Sequence, residues 1–97
     1  MAFIQIVEGH TDHLDEINKL SEAWEAATEG RRTSTRSILT VDRNDPRHFT
    51  VIVFFDSYES AMENSNMPET QEFSGKLVAL LDGPPSFSDL EVVEDNS

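Results

Sequence analysis

Two sets of residues in this 97-residue chain carry side chains able to do chemistry. The first is the run His10-Thr11-Asp12-His13, with Glu16 one helical turn beyond His13. Two imidazoles and a carboxylate are donors that a divalent metal accepts. Helical histidine pairs that bind metal stand four apart, however, so this spacing matches no strong motif and no metal is assigned. The second set is dispersed: His48, Tyr58, Arg36 and Asn66. An unperturbed imidazole titrates near neutrality, which makes His48 a candidate base for an electron-rich, phenol-like substrate. Arg36 and Asn66 are candidates to hold the resulting oxyanion, and Tyr58 to orient a ring. Trp24 and Phe54 complete the ligand-binding candidates.

Each has a plainer role. His48 opens a strand at the surface, and Tyr58 packs on a helix entry. Asn64 and Asn66 flank a helix break, where they either cap it or face a cleft. Trp24 lies on an apolar stripe and so packs in the core. Met62 and Met67 would line a pocket or fill an irregular core. There is no serine-histidine-acid set and no phosphate loop, and the four glycines do not cluster.

Composition narrows the partners. Nineteen acidic and seven basic residues give a net charge of −12. That charge repels phosphate backbones and anionic lipid, so neither nucleic acid nor membrane is an expected partner. Five arginines and two aspartates fall in residues 31–48, a local +3 against −15 for the remainder. Such a patch suits a small anionic ligand or an acidic partner; its plainer reading is a solvated hairpin whose arginines pair with nearby carboxylates. The chain has no cysteine, which excludes disulfides and thiolate chemistry. The opening MAFIQIVEG lacks the charge and apolar run of a signal peptide. No apolar stretch approaches the roughly 20 residues of a membrane span, so a soluble cytoplasmic protein is expected.

The elements that must position these side chains are legible from period and punctuation. Phe3 to Glu8 reads as an interior strand ended by Gly9. Thr11 is placed to cap a helix in which Leu14, Ile17, Leu20, Trp24 and Ala27 form one buried face, and Gly30 stops it. Residues 32–43 read as an edge strand, 44–46 as a turn, and 48–55 as the central strand of an antiparallel hairpin. Asp56 and Glu59 form a capping-box-like pair opening a helix that breaks near Asn64–Pro68. A further helix, 68–81, buries Phe73, Leu77, Leu80 and Leu81, and Asp82-Gly83-Pro84-Pro85 ends it. A last strand covers about 87–93.

The order β-α-β-β-α-β predicts one α+β domain over 1–93, with an acidic, disordered tail at 94–97. The connection rules give a four-stranded antiparallel sheet, order 4-1-3-2, with both helices on one face. The other face keeps apolar residues from 49–55, and a second copy of the chain is the simplest cover. The topology also gathers His10, His13, Arg43, Arg47 and His48 at one end, and Trp24, Arg31, Arg32, Asp56 and Tyr58 at the other.

A ferredoxin-like unit of this length, with a broken second helix after an aromatic strand end, resembles the dimeric α+β barrel superfamily. The run FFDSYESAMENSNMPETQEF is similar to the strand-to-helix passage of its antibiotic-biosynthesis-monooxygenase-like members. The resemblance implies a homodimer binding a small aromatic or anionic organic molecule, and a cofactor-independent monooxygenase as the activity. The alternatives are a non-enzymatic interaction or stress-related binding protein, and a small regulatory module. Haem-degrading relatives resemble one another in an asparagine on the first strand and a later tryptophan and histidine. Here the first strand offers Gln5, the single tryptophan is Trp24, and no histidine follows His48, so no haem or other cofactor is expected.

Overall fold

A computed structural model describes residues 2–96. The elements run β1 (Phe3–His10), α1 (Leu14–Thr28), β2 (Ser34–Asp42), β3 (Asp45–Phe55), α2 (Tyr58–Ser65), α3 (Pro68–Ala79) and β4 (Ser86–Glu91). The strands form one antiparallel sheet in the order β2-β3-β1-β4, a ferredoxin-like α+β fold. The second helical segment is split in two where Pro68 opens α3. Proline cannot donate the amide that would continue α2, but it suits a first helical turn.

Strand parity decides what the helices cover. Phe3, Val7, Val51, Val53 and Phe55 alternate onto one face, and Phe49 joins them opposite Gly9. Phe3, Phe55 and Ala61 are buried in one cluster, with Val53 and Met62 against it. Ile17, Phe49 and Leu77 are buried in a second. Gly9 has a specific reason to be glycine. A Cβ there would lie 3.1 Å from Cε1 of Phe49 and 3.3 Å from Cδ1 of Leu81. The Phe49 ring thus lies over the neighbouring strand's bare backbone and closes that end of the core.

The opposite face carries Ile4, Ile6, Ile38, Ile52 and Phe54, with Leu90 of β4 in the same register. No helix covers it. Strand β4 pairs only with β1 and is exposed along its whole length.

Several local expectations are corrected. The capping box of α2 is Ser57 with Ser60, each side chain meeting the other's backbone amide at 3.1 Å, rather than Asp56 with Glu59. Serine at the N-cap leaves Asp56 one residue too early to reach the first-turn amides. Thr11 does not cap α1. Its hydroxyl accepts from the His13 amide at 2.9 Å and donates to the Leu80 carbonyl at 2.7 Å, tying the helix entry to the end of the α3 segment. The hairpin turns at Arg43-Asn44, and Asp45 and Pro46 already belong to β3. The register then jumps between the pairs Val41–Phe49 and Asp42–Asp45, so Pro46, Arg47 and His48 bulge from the ladder to β2. Strand β4 begins one residue earlier than expected and ends at Glu91. Gly30 does stop α1, with a φ of 80° that favours glycine. Residues 94–96 form no helix or strand, and Ser97 of the expected tail lies outside the described residues. No helix among the described residues is long and apolar enough to cross a membrane.

Candidate functional site

A cavity of about 290 Å³ lies between the helices and the sheet, where the two buried clusters leave a gap. That volume sits near the lower end of ligand pockets, which span about 300–1,000 Å³. Trp24 of α1, Phe73 of α3, Phe55 of β3 and Phe87 of β4 give it aromatic walls. The Trp24 and Phe73 rings are tilted at 45° with centroids 6.2 Å apart. The indole is fixed, because its Nε1–H donates to Oγ1 of Thr70 at 2.9 Å. A half-buried indole with its N–H satisfied is a rigid wall that adds no polar demand.

The polar lining is small and specific. Asn64, 4% exposed, projects from the last turn of α2. Its Oδ1 accepts from the Thr33 amide at 3.3 Å, leaving the Nδ2 donors for the cavity. Gln5 stands where the β1 parity would otherwise place an apolar residue between Phe3 and Val7. Asp89 is its cross-strand partner on β4 and, among the described residues, the only ionisable side chain that lines the cavity. Ser37 and Ser74 contribute hydroxyls. Phe87 is 62% exposed, so the cavity opens along the β4 edge.

Of the residues singled out from the sequence, Trp24 lines this cavity, as does Asn64, one of the two asparagines at the helix break, whereas Arg36, Phe54, Tyr58, Asn66 and His48 lie elsewhere. Arg36 and Phe54 are register partners on the open sheet face, with the guanidinium carbon 5.8 Å from the ring centroid. Tyr58 opens α2, half exposed, its ring edge-on to Phe3 at 5.5 Å. Asn66 is exposed as the C-cap of α2, its backbone amide donating to the Met62 carbonyl at 3.0 Å. His48 stacks on His10 at 4.9 Å and 13° across β3 and β1, and its Nδ1 lies 3.5 Å from Asp42.

That histidine end is the second polar assembly. His10 approaches Asp45 at 3.7 Å, and His13 approaches Glu16 at 3.8 Å. These pairs diverge, and among the described residues no three histidine, aspartate or glutamate side chains are grouped to hold a metal ion. Arg47 donates through Nε to Asp12 at 2.7 Å and through Nη2 to Asp82. The Asp12 hydrogen bond and the two carboxylate charges raise its pKa still further. The Asn44 backbone amide, and to a lesser degree His48, holds the Asp42 carboxyl below the usual range. These interactions brace the hairpin against the entry of α1 and the end of the α3 segment. At the far end Arg31 donates to Glu69 and lowers its pKa, clamping the end of α1 to the start of α3. Arg32 stands over Trp24 with its guanidinium carbon 5.8 Å from the ring centroid.

Solved structures share this arrangement of strands and helices over nearly their whole length. A protein from Mycobacterium tuberculosis matches with a TM-score of 0.82 at 14% identity, covering 100% of both chains. SnoaB, a cofactor-independent oxygenase from Streptomyces nogalater, matches at 0.82 and 10% identity, over 97% of this chain and 95% of that one. An antibiotic biosynthesis monooxygenase matches at 0.76 and 16% identity, over 97% and 100%. The fold is that of the antibiotic-biosynthesis-monooxygenase-like proteins. At these identities the likeness is one of backbone. No protein-family model and no curated protein sequence matches the chain.

Gln5 and Asp89 had a signal in the sequence: each is a polar residue at an inward register position of an otherwise mixed or apolar strand. Strand parity alone singles them out once β1 and β4 are paired. Asn64 was marked together with Asn66 by the helix break, as a cap or a cleft-facing side chain, but nothing in the sequence separates the two. Whether it or Asn66 faces inward depends on the angle at which α2 leaves β3.

Proposed function

We propose that this chain works as a homodimer that binds a small, partly aromatic molecule in the cavity of each protomer and oxidises it with molecular oxygen, without a cofactor. The observation that carries the reading is the cavity itself, with four aromatic walls around a nearly buried carboxamide. The likeness in fold to a cofactor-independent oxygenase supports the choice of reaction.

The chemistry asks little of the protein. An electron-rich phenolic ring loses a proton, and the resulting anion is oxidisable by oxygen directly. The Nδ2 donors of Asn64 are placed to stabilise that anion, which favours loss of the proton to water through the β4 mouth. One oxygen atom then enters the substrate, converting a ring methylene to a carbonyl, and the other leaves as water. The aromatic walls hold the ring and exclude bulk water from the intermediate. His48 and Tyr58 lie outside this cavity, and the reading gives them no step in it. Oxygen uptake with a panel of anthrones, which carry that ring methylene and have phenolic tautomers, tests the reaction, with Asn64→Ala as the comparison. The expected loss for one anion-stabilising donor is about a hundredfold in rate. Substrate that binds but is consumed no faster than in buffer would leave a binding protein rather than an oxygenase.

The dimer rests on the open face. Ile4, Ile6, Ile38, Ile52 and Phe54 form a contiguous apolar surface on three adjacent strands. Packing two such sheets face to face would bury both. Light scattering after size exclusion should give twice the 10.9 kDa chain mass. A stable monomer at micromolar concentration would remove this part of the proposal.

A further inference from the structure

The charge of the cavity lining points to a ligand of one sign. The chain's arginines lie elsewhere: Arg36 on the open face, Arg43 and Arg47 at the hairpin, Arg31 and Arg32 at the end of α1. Arg32 comes nearest, over the Trp24 ring, yet it does not line the cavity. What remains inside is aromatic surface, amides and hydroxyls, with one carboxylate on the mouth strand. Asp89 makes no ion pair or side-chain hydrogen bond among the described residues, so nothing in the fold neutralises it. Aromatic faces attract cations through the negative potential of their rings, and a carboxylate beside them adds to that attraction. An anion would instead meet that carboxylate on a body of net charge −12.

We infer that the cavity selects an aromatic molecule bearing a positive charge, an arylalkylammonium type, with its ring against the wall formed by Trp24 and Phe73 and its cationic group at Asp89. This inference rests on the cavity being the ligand site, and it replaces the anionic ligand that the arginine-rich segment invited. Within that segment Arg31 and Arg47 pair with carboxylates, and Arg36 lies on the open face instead. An aromatic box with one acid suits a cationic head, whereas the same box with a buried arginine would suit a carboxylate.

Three molecules with one ring system separate the possibilities: naphthylmethylammonium, 2-naphthol and 2-naphthoate, which are cationic, neutral and anionic at pH 7. Binding is read by calorimetry and by the indole N–H resonance of Trp24, the chain's single tryptophan. The cation should bind about fivefold to tenfold more tightly than the naphthol, with the naphthoate weakest. Asp89→Asn should abolish the cation's advantage, weakening the cation at least fivefold more than it changes naphthol binding. Asp15→Asn, which removes the same charge from the exposed first turn of α1, should change neither. Equal affinities for cation and naphthol, tighter naphthoate binding, or equal effects of the two aspartate variants would overturn the inference while leaving the cavity as a ligand site. No shift of the Trp24 resonance with any of the three would overturn both.

Discussion

The two faces of the sheet are built from alternate residues of the same strands, and they differ in what completes them. On the helix side Phe3, Phe49 and Phe55 are buried within the chain, and the gap left between two clusters becomes the cavity. On the other side Ile4, Ile6, Ile38, Ile52 and Phe54 have the composition of a core but only strand neighbours. A period of two residues is thus enough to give one segment both an interior and an unsatisfied exterior. Composition alone does not distinguish a finished core from one that needs a partner. The helices do.

Substitutions on the two faces should therefore fail differently. Phe49→Ala, at a site with no exposure, should have the largest effect, about 3–5 kcal/mol of stability, read by urea unfolding. Ile52→Asp, a few residues along β3 but facing outward, should leave the protomer folded while weakening the dimer by at least about a hundredfold, because a carboxylate cannot be buried unpaired. Loss of fold on Ile52→Asp with no change in mass would break the distinction between the faces. Gly9→Ala, pressing on the Phe49 ring, should cost about 1–3 kcal/mol and belongs with the inner face. Ser57→Ala should cost about 1 kcal/mol by removing the α2 cap, and it should leave the dimer mass alone.

The smallest effect is expected from Glu69. Its pKa is lowered in the folded state by Arg31, so the stabilisation is present above the unfolded glutamate value and fades as pH falls through the folded one. Wild type should lose stability below about pH 4.3, and Glu69→Gln should lose less over that range, as seen in thermal melts against pH. An unchanged pH profile would show that the clamp between α1 and α3 carries no charge-dependent stability.

The order of strands and helices could be read before the structure because hydrophobic period, Gly30 and Pro68 all act locally. The positions of the side chains could not. His48 reads as a candidate base at a strand start, and only the β1–β3 register shows that it stands opposite His10 with the two rings stacked. Asn66 and Asn64 are equivalent as sequence, two residues apart in a helix end, and the fold buries only Asn64. Trp24 was legible as an apolar-stripe residue, and the same stripe is what makes it a cavity wall. The arginines were legible as a patch, whereas their partners Asp12, Glu69 and Asp82 come from remote segments.

Strand β4 is held by a single ladder to β1 and is exposed on both faces, yet it supplies Phe87 and Asp89 to the cavity. Such a strand lies at the low end of local stability and opens more readily than the rest of the sheet. Occupying the cavity therefore also fastens an edge. Amide hydrogens of residues 86–91 should exchange more slowly when a ligand is bound, so that a chemical event in the interior is felt as persistence of the sheet's outermost strand.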